Sequence, residues 1–140
     1  MRPLAAGILA HGHVAPRERE IVILRVCARC DCEYEWGVHV TVFGRLVGLS
    51  DEHIQATART LPADPIWSER DSLLIRLVDE LHESANVSDA LWTRLARYWE
   101  EAQLLELLVT AGWYHVISFV TNGVRIQREE WTARFPVMGD

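Results

Sequence analysis

Arg19-Glu20-Ile21-Val22-Ile23-Leu24-Arg25, followed shortly by Cys32-Glu33-Tyr34-Glu35-Trp36-Gly37-Val38-His39, is the stretch from which the rest of the chain is best read. It contains the string Glu-x11-Cys-x2-Glu-x3-His, formed by Glu20, Cys32, Glu35 and His39. Positions 32, 35 and 39 stand at i, i+3 and i+7, so a helix carries them on one face. Glu20 lies on the preceding helix and has to fold back to join them. Two carboxylates, a thiol and an imidazole on one face of an otherwise apolar stretch make a candidate site.

Outward from this stretch the chain reads as helices. Residues 3–10 suggest a short opening helix, broken at His11-Gly12-His13. Pro16 suits a first helical turn, and 17–30 continues as a helix whose apolar residues cover most of its circumference, as in a helix packed on several sides. A second helix is expected over 33–47, ending at Gly48. Ser50, Ser68 and Ser88 read as N-caps of helices starting near 51, 69 and 89. Leu73, Leu74, Leu77, Val78 and Leu81 give the helix over 69–83 its apolar stripe, and the next runs over 89–99. Leu61-Pro62-Ala63-Asp64-Pro65 is the clearest connector. A long apolar helix then runs from about Glu101 to Asn122, with Gly123 as a left-handed stop. The tail, with Trp131 and Phe135, reads as irregular and packed on a neighbour. Nothing alternates with a two-residue period, so the expected class is all-α, a bundle of about six to seven helices.

A length of 140 residues and 49% apolar composition imply one domain, residues 1–140, with its core over about 15–125. The longest uninterrupted apolar runs are too short to span a bilayer, and the N-terminus is not read as a cleaved signal peptide. A net charge of −6 with scattered arginines argues against a nucleic-acid partner. Three closely spaced cysteines do not make a disulfide framework and suit the cytoplasm. The expected partner is a small-molecule substrate, with no membrane partner.

Glu35 lies one helical turn from His39 and can fix its tautomer and raise its basicity. With Glu20 as a second carboxylate, burial pushes one of these groups toward neutral pKa, which is general acid/base machinery. Cys32 stands near a helix N-terminus, where a thiolate is favoured. Trp36 borders the group and is a candidate wall for a planar ligand, while Arg25 and Arg29 are candidate anchors for a substrate carboxylate. Cys27-Ala28-Arg29-Cys30 is itself a Cys-x-x-Cys, but Ala15 and Tyr34 stand where acid/base partners would be needed, and Cys27 reads as core. A Cys30–Cys32 disulfide would close too tight a ring. His115 reads as a core histidine, and His11 and His13 as surface residues.

The spacing and the quoted runs resemble the carboxymuconolactone decarboxylase family, whose superfamily includes the AhpD-type alkylhydroperoxidases. Leu107-Leu108-Val109-Thr110-Ala111-Gly112-Trp113-Tyr114-His115 is similar to that family's C-terminal helix, so the resemblance covers roughly residues 15–125. It implies an AhpD-like helical fold, assembly as a homotrimer or homohexamer with sites at subunit contacts, and no metal or organic cofactor. The peroxidase branch carries a second cysteine where this chain has Glu35, and a carboxylate cannot resolve a sulfenic acid. The resulting expectation is a cofactor-independent carboxy-lyase acting on an unsaturated lactone or carboxylic acid. In it His39 transfers the proton, Glu20 relays or orients, and Glu35 tunes. The alternatives are a thiol peroxidase using Cys32 and a non-catalytic assembly or binding protein of the same fold.

Overall fold

The computed structural model describes residues 12–137, so the helix expected over 3–10 and His11 lie outside the described residues. Among the described residues there are six α-helices and no strand: α1 Pro16–Arg29, α2 Glu33–His39, α3 Asp51–Arg59, α4 Glu69–Ser84, α5 Asp89–Leu95 and α6 Glu101–Gly123. The central helix is α1, which packs against α2, α3, α4 and α6. Every residue from Glu18 to Cys27 on it is buried, which accounts for an apolar pattern running almost all round the helix.

Six charges on α1 are buried or half-buried, and four of them, Arg17, Glu18, Arg25 and Arg29, find partners along α4. Arg17 pairs with Asp71, Arg25 with Asp79 and Arg29 with Glu83, each across a sequence separation of 54 residues. A constant offset with both numbers rising means that α1 and α4 run parallel, in register over about 18 Å at 1.5 Å per residue. Glu18 completes the ladder by accepting from Arg70 and from the Trp99 indole N–H at 3.2 Å, while the Arg70 guanidinium lies 4.7 Å over the Trp99 ring.

The local chemistry of the helix starts agrees with the sequence. Ser50, Ser68 and Ser88 accept from the backbone N–H groups of His53, Asp71 and Leu91. Gln103 closes the start of α6 by accepting from the Glu100 N–H at 2.9 Å.

Three expected boundaries differ. The helix expected over 33–47 is α-helical only to His39 and continues as a π-helical turn, Val40–Gly44, before Gly48 takes a left-handed φ of 85°. A π turn widens the hydrogen-bonded ring and changes the angular step of the chain, so residues beyond His39 leave the face of Cys32 and Glu35. The segment over 89–99 is helical only through Leu95. Gly123 ends α6 within the helix, and the left-handed residue is Arg125, with φ of 57°.

The tail folds onto α2 of its own chain. Ala133 N–H donates to Thr41 Oγ1 at 3.0 Å, Phe135 N–H donates to Glu33 Oε2 at 2.8 Å, and the Phe135 ring stands 5.2 Å from Trp36. Gly37 makes this close approach possible, because a Cβ there would overlap the Ala133 carbonyl oxygen. Although no uninterrupted apolar run is long enough, α6 taken as a whole is long and apolar enough to cross a membrane by length and composition. One side of it packs into the bundle, with Leu104, Leu107, Ala111 and Tyr114 buried together with Thr110, Ser118 and Thr121.

Candidate acid/base site

The α1–α2 corner brings the distant carboxylate to the imidazole. Asp31, in a left-handed conformation with φ of 52°, reverses the chain, and Cys32 N–H donates to the Cys27 carbonyl at 2.8 Å. α2 therefore turns back along α1, and His39 meets Glu20. His39 Nδ1 lies 3.1 and 3.0 Å from the two Glu20 oxygens, and His39 Nε2 lies 3.4 Å from Glu35 Oε1. Glu20 is 1% exposed and His39 4%, whereas Glu35 is half-buried, so Glu35 is on the more open side of the group.

The electrostatics decide the resting proton state. Burial lowers the His39 pKa, but hydrogen bonding and charge from Glu20 and Glu35 outweigh it and raise the value to about 9. At neutral pH the ring is an imidazolium between two carboxylates. The Nδ1–H donates to Glu20, which leaves the Nε2–H, with its longer contact to Glu35, as the transferable proton.

Two aromatic rings close the site, and neither was flagged in the sequence as a site residue. Tyr114 of α6 stands edge-on to the imidazole at 5.1 Å, and Phe43 of the π turn lies at the same distance. Burial, reinforced by the negative charges of Glu20 and Glu35, raises the Tyr114 pKa, so its hydroxyl keeps its proton. Tyr114 is set apart only by its place in the Gly112-Trp113-Tyr114-His115 run, and the helix pairing that brings it to His39 is not a local property.

The other expected members fare differently. Cys32 begins α2 but is fully buried, and burial raises its thiol pKa against a backbone hydrogen bond and the Ser118 hydroxyl. The helix start does not favour a thiolate here, which corrects the expectation. Burial also raises Cys27 and Cys30, with Ser118 acting in the opposite direction on each.

Arg25 is not an open anchor. It holds both Asp79 oxygens at 2.8 Å and donates to the Thr57 and Thr60 carbonyls at 3.1 and 2.8 Å, tying α1 to α3 and α4. Arg29 pairs with Glu83 near the surface. Trp36 donates its indole N–H to Thr57 Oγ1 at 3.0 Å and lines a cavity of about 230 Å³ with Val40, Ile54 and Arg134, a space lined by neither Glu20 nor His39.

The all-helical arrangement around this corner is an AhpD-like fold. It superposes with a TM-score of 0.82 on a protein of unknown function from Agrobacterium tumefaciens, described as a candidate antioxidant defence protein AhpD. The two are 19% identical, over 91% of this chain and 87% of that one. An uncharacterized peroxidase-related protein from Silicibacter sp. TM1040 gives 0.80 at 13% identity, over 92% of this chain and 68% of that one. At such identities the likeness concerns the fold. Residues 1–65, which carry Glu20, Cys32, Glu35 and His39, match the model of the carboxymuconolactone decarboxylase family. No match to the chain was found among curated proteins.

Proposed function

We propose that the protein is a cofactor-independent enzyme of general acid/base type, acting as a carboxy-lyase on an unsaturated lactone or carboxylic acid. The observation that carries the reading is a buried imidazole ring held between Glu20 and Glu35 at 3.0 and 3.4 Å. In such a reaction the bond from carbon to the substrate carboxylate breaks and its electron pair delocalises into the conjugated system. Carbon dioxide leaves, and the His39 Nε2–H protonates the carbon. A pKa of about 9 suits His39 to hold this proton rather than to remove one. Glu20 fixes the ring through Nδ1, and Glu35 is the group displaced when substrate reaches Nε2. The protonated Tyr114 hydroxyl keeps negative charge off that wall. We assign the working form to a homotrimer or homohexamer in the cytoplasm, a compartment that suits three free thiols.

The test is turnover in deuterium oxide with a panel of unsaturated lactones and carboxylic acids. Carbon dioxide release with one solvent deuteron in the product is expected. His39→Gln should lower kcat by about 10²- to 10⁴-fold, the usual worth of a positioned proton donor. Undiminished turnover by His39→Gln, or product without deuterium, would overturn the reading.

A thiol peroxidase is the second reading, supported by three thiols influenced by one hydroxyl, that of Ser118. It requires peroxide consumption with an added thiol reductant that Cys32→Ser abolishes, whereas the acid/base reading has decarboxylation survive that change.

A further inference from the structure

We propose that Cys30, His82 and His115 form a second site, which binds a zinc-class divalent cation through three protein ligands and leaves its fourth position open to a cavity. None of the three belongs to the Glu20–Glu35–His39 group, so this site stands independently of the acid/base reading.

The donor atoms converge from three helices: Cys30 at the end of α1, His82 on α4 and His115 on α6. All three lie within 4.8 Å of one another. His82 Nδ1 is 3.0 Å from His115 Nε2, and the Cys30 Sγ is 3.9 Å from His82 Nδ1. A tetrahedral zinc with bonds of about 2.0 Å to nitrogen and 2.3 Å to sulfur sets its ligand atoms about 3.3–3.6 Å apart. Two of the three separations bracket that range and the third, between Cys30 and His115, is within 4.8 Å, so shifts of about 1 Å would complete the geometry.

The surroundings hold His115 in the form that a metal needs. His115 Nδ1–H donates to the Ala111 carbonyl at 2.7 Å, which fixes the tautomer and leaves the Nε2 lone pair aimed at the other two groups. Because that nitrogen accepts, the proton in the 3.0 Å contact belongs to His82. Burial, the neighbouring His115 and the charge of Arg29 lower the His82 pKa. Asn122 Nδ2 donates to the Cys30 carbonyl at 2.8 Å and steadies the cysteine.

On binding, Cys30 releases its thiol proton to solvent. His82 moves its ring proton from Nδ1 to Nε2 and binds as a neutral imidazole. One proton leaves per cation, and no redox change is involved. A thiolate with two imidazoles selects zinc-class ions over magnesium and calcium, which require oxygen. The neighbouring cavity, about 540 Å³, is lined by both histidines, Glu83, Ser84, Leu108 and Phe119. It has room for water or a small anion at the fourth position, the arrangement of open rather than closed zinc sites.

Cobalt(II) is the probe, added to the full-length chain after chelator treatment and removal of the chelator. The expected result is one cobalt per chain, with the intense visible bands of tetrahedral coordination and a near-ultraviolet thiolate-to-cobalt band, all displaced by zinc. Cys30→Ser should remove the thiolate band, and His82→Gln or His115→Gln should weaken binding at least tenfold. His13→Gln, a surface histidine outside the cluster, should bind as the parent does. Circular dichroism confirms that each variant is folded. The absence of stoichiometric binding by the folded parent would overturn the proposal, as would a thiolate band that survives Cys30→Ser.

Discussion

A histidine held between two carboxylates in a buried site resists losing its proton, and His39 is such a residue. Its folded-state pKa of about 9 lies above the ordinary 6.5, so protonation stabilises the native state. That contribution is fully present below about pH 6.5 and fades as pH rises through about 9. With other groups held constant, we expect denaturant-derived stability to fall across this window by on the order of 2–3 kcal/mol, and the slope to vanish in His39→Gln. A flat profile in the parent between about pH 6.5 and 9.5 would contradict the ion-pair assignment. The meeting of His39 with Glu35 is legible in the sequence because one helical turn separates them. Tyr114 is not, since its approach depends on how α6 packs on α2. Arg25 is the opposite case: its residue type suits a carboxylate anchor, yet nothing in neighbouring residues tells that its fork is taken by Asp79 and two carbonyls.

Among the elements, the parallel α1–α4 ladder contains pairs of very different worth. The Arg25 and Asp79 side chains are 5% and 13% exposed, while those of Arg29 and Glu83 are 31% and 63% exposed. Asp79→Asn should destabilise the fold by about 3–5 kcal/mol, because it leaves a buried guanidinium uncompensated. Glu83→Gln should change stability by less than about 1 kcal/mol, being solvent-screened. Equal effects in urea unfolding would show that burial does not govern the ladder. The tail carries a second element-level prediction. Gly37→Ala should cost about 1–3 kcal/mol and release residues 131–137 to proteolysis, because the new Cβ meets the Ala133 carbonyl. Protection of the tail in that variant would count against the contact. Serine caps are readable in advance because a cap is decided within four residues, as Ser50, Ser68 and Ser88 illustrate. The π turn after His39 and the left-handed Arg125 depend on tertiary packing, so the expected helix over 33–47 ran too long and the glycine stop at 123 was misplaced.

For the whole molecule, the distribution of apolar surface bears on assembly. Leu105, Val109, Val116 and Val120 stand at i, i+4, i+11 and i+15 on α6 and are 36–62% exposed, with Phe119 beside them at 63%. The stripe runs about 22 Å at 1.5 Å per residue. It faces away from the core, with the exposed Gly112 between its two halves, unlike the scattered single apolar residues of an ordinary surface. Its buried side carries Tyr114, so a second copy seated on it would steady the helix that walls the His39 site. Sequence patterning hides this division, because a helix apolar on nearly every side shows no obvious outer face. The same tertiary dependence hides Cys30, His82 and His115, whose partners are 33 and 52 residues apart. The parent is expected to run as a trimer or larger species in light scattering, with thermal stability that rises with protein concentration. Leu105→Glu combined with Val120→Glu should yield a folded 16.0 kDa monomer that melts at a lower, concentration-independent temperature. A parent that is itself monomeric at micromolar concentration would remove the stripe as a subunit contact and leave the His39 site to work within a single chain.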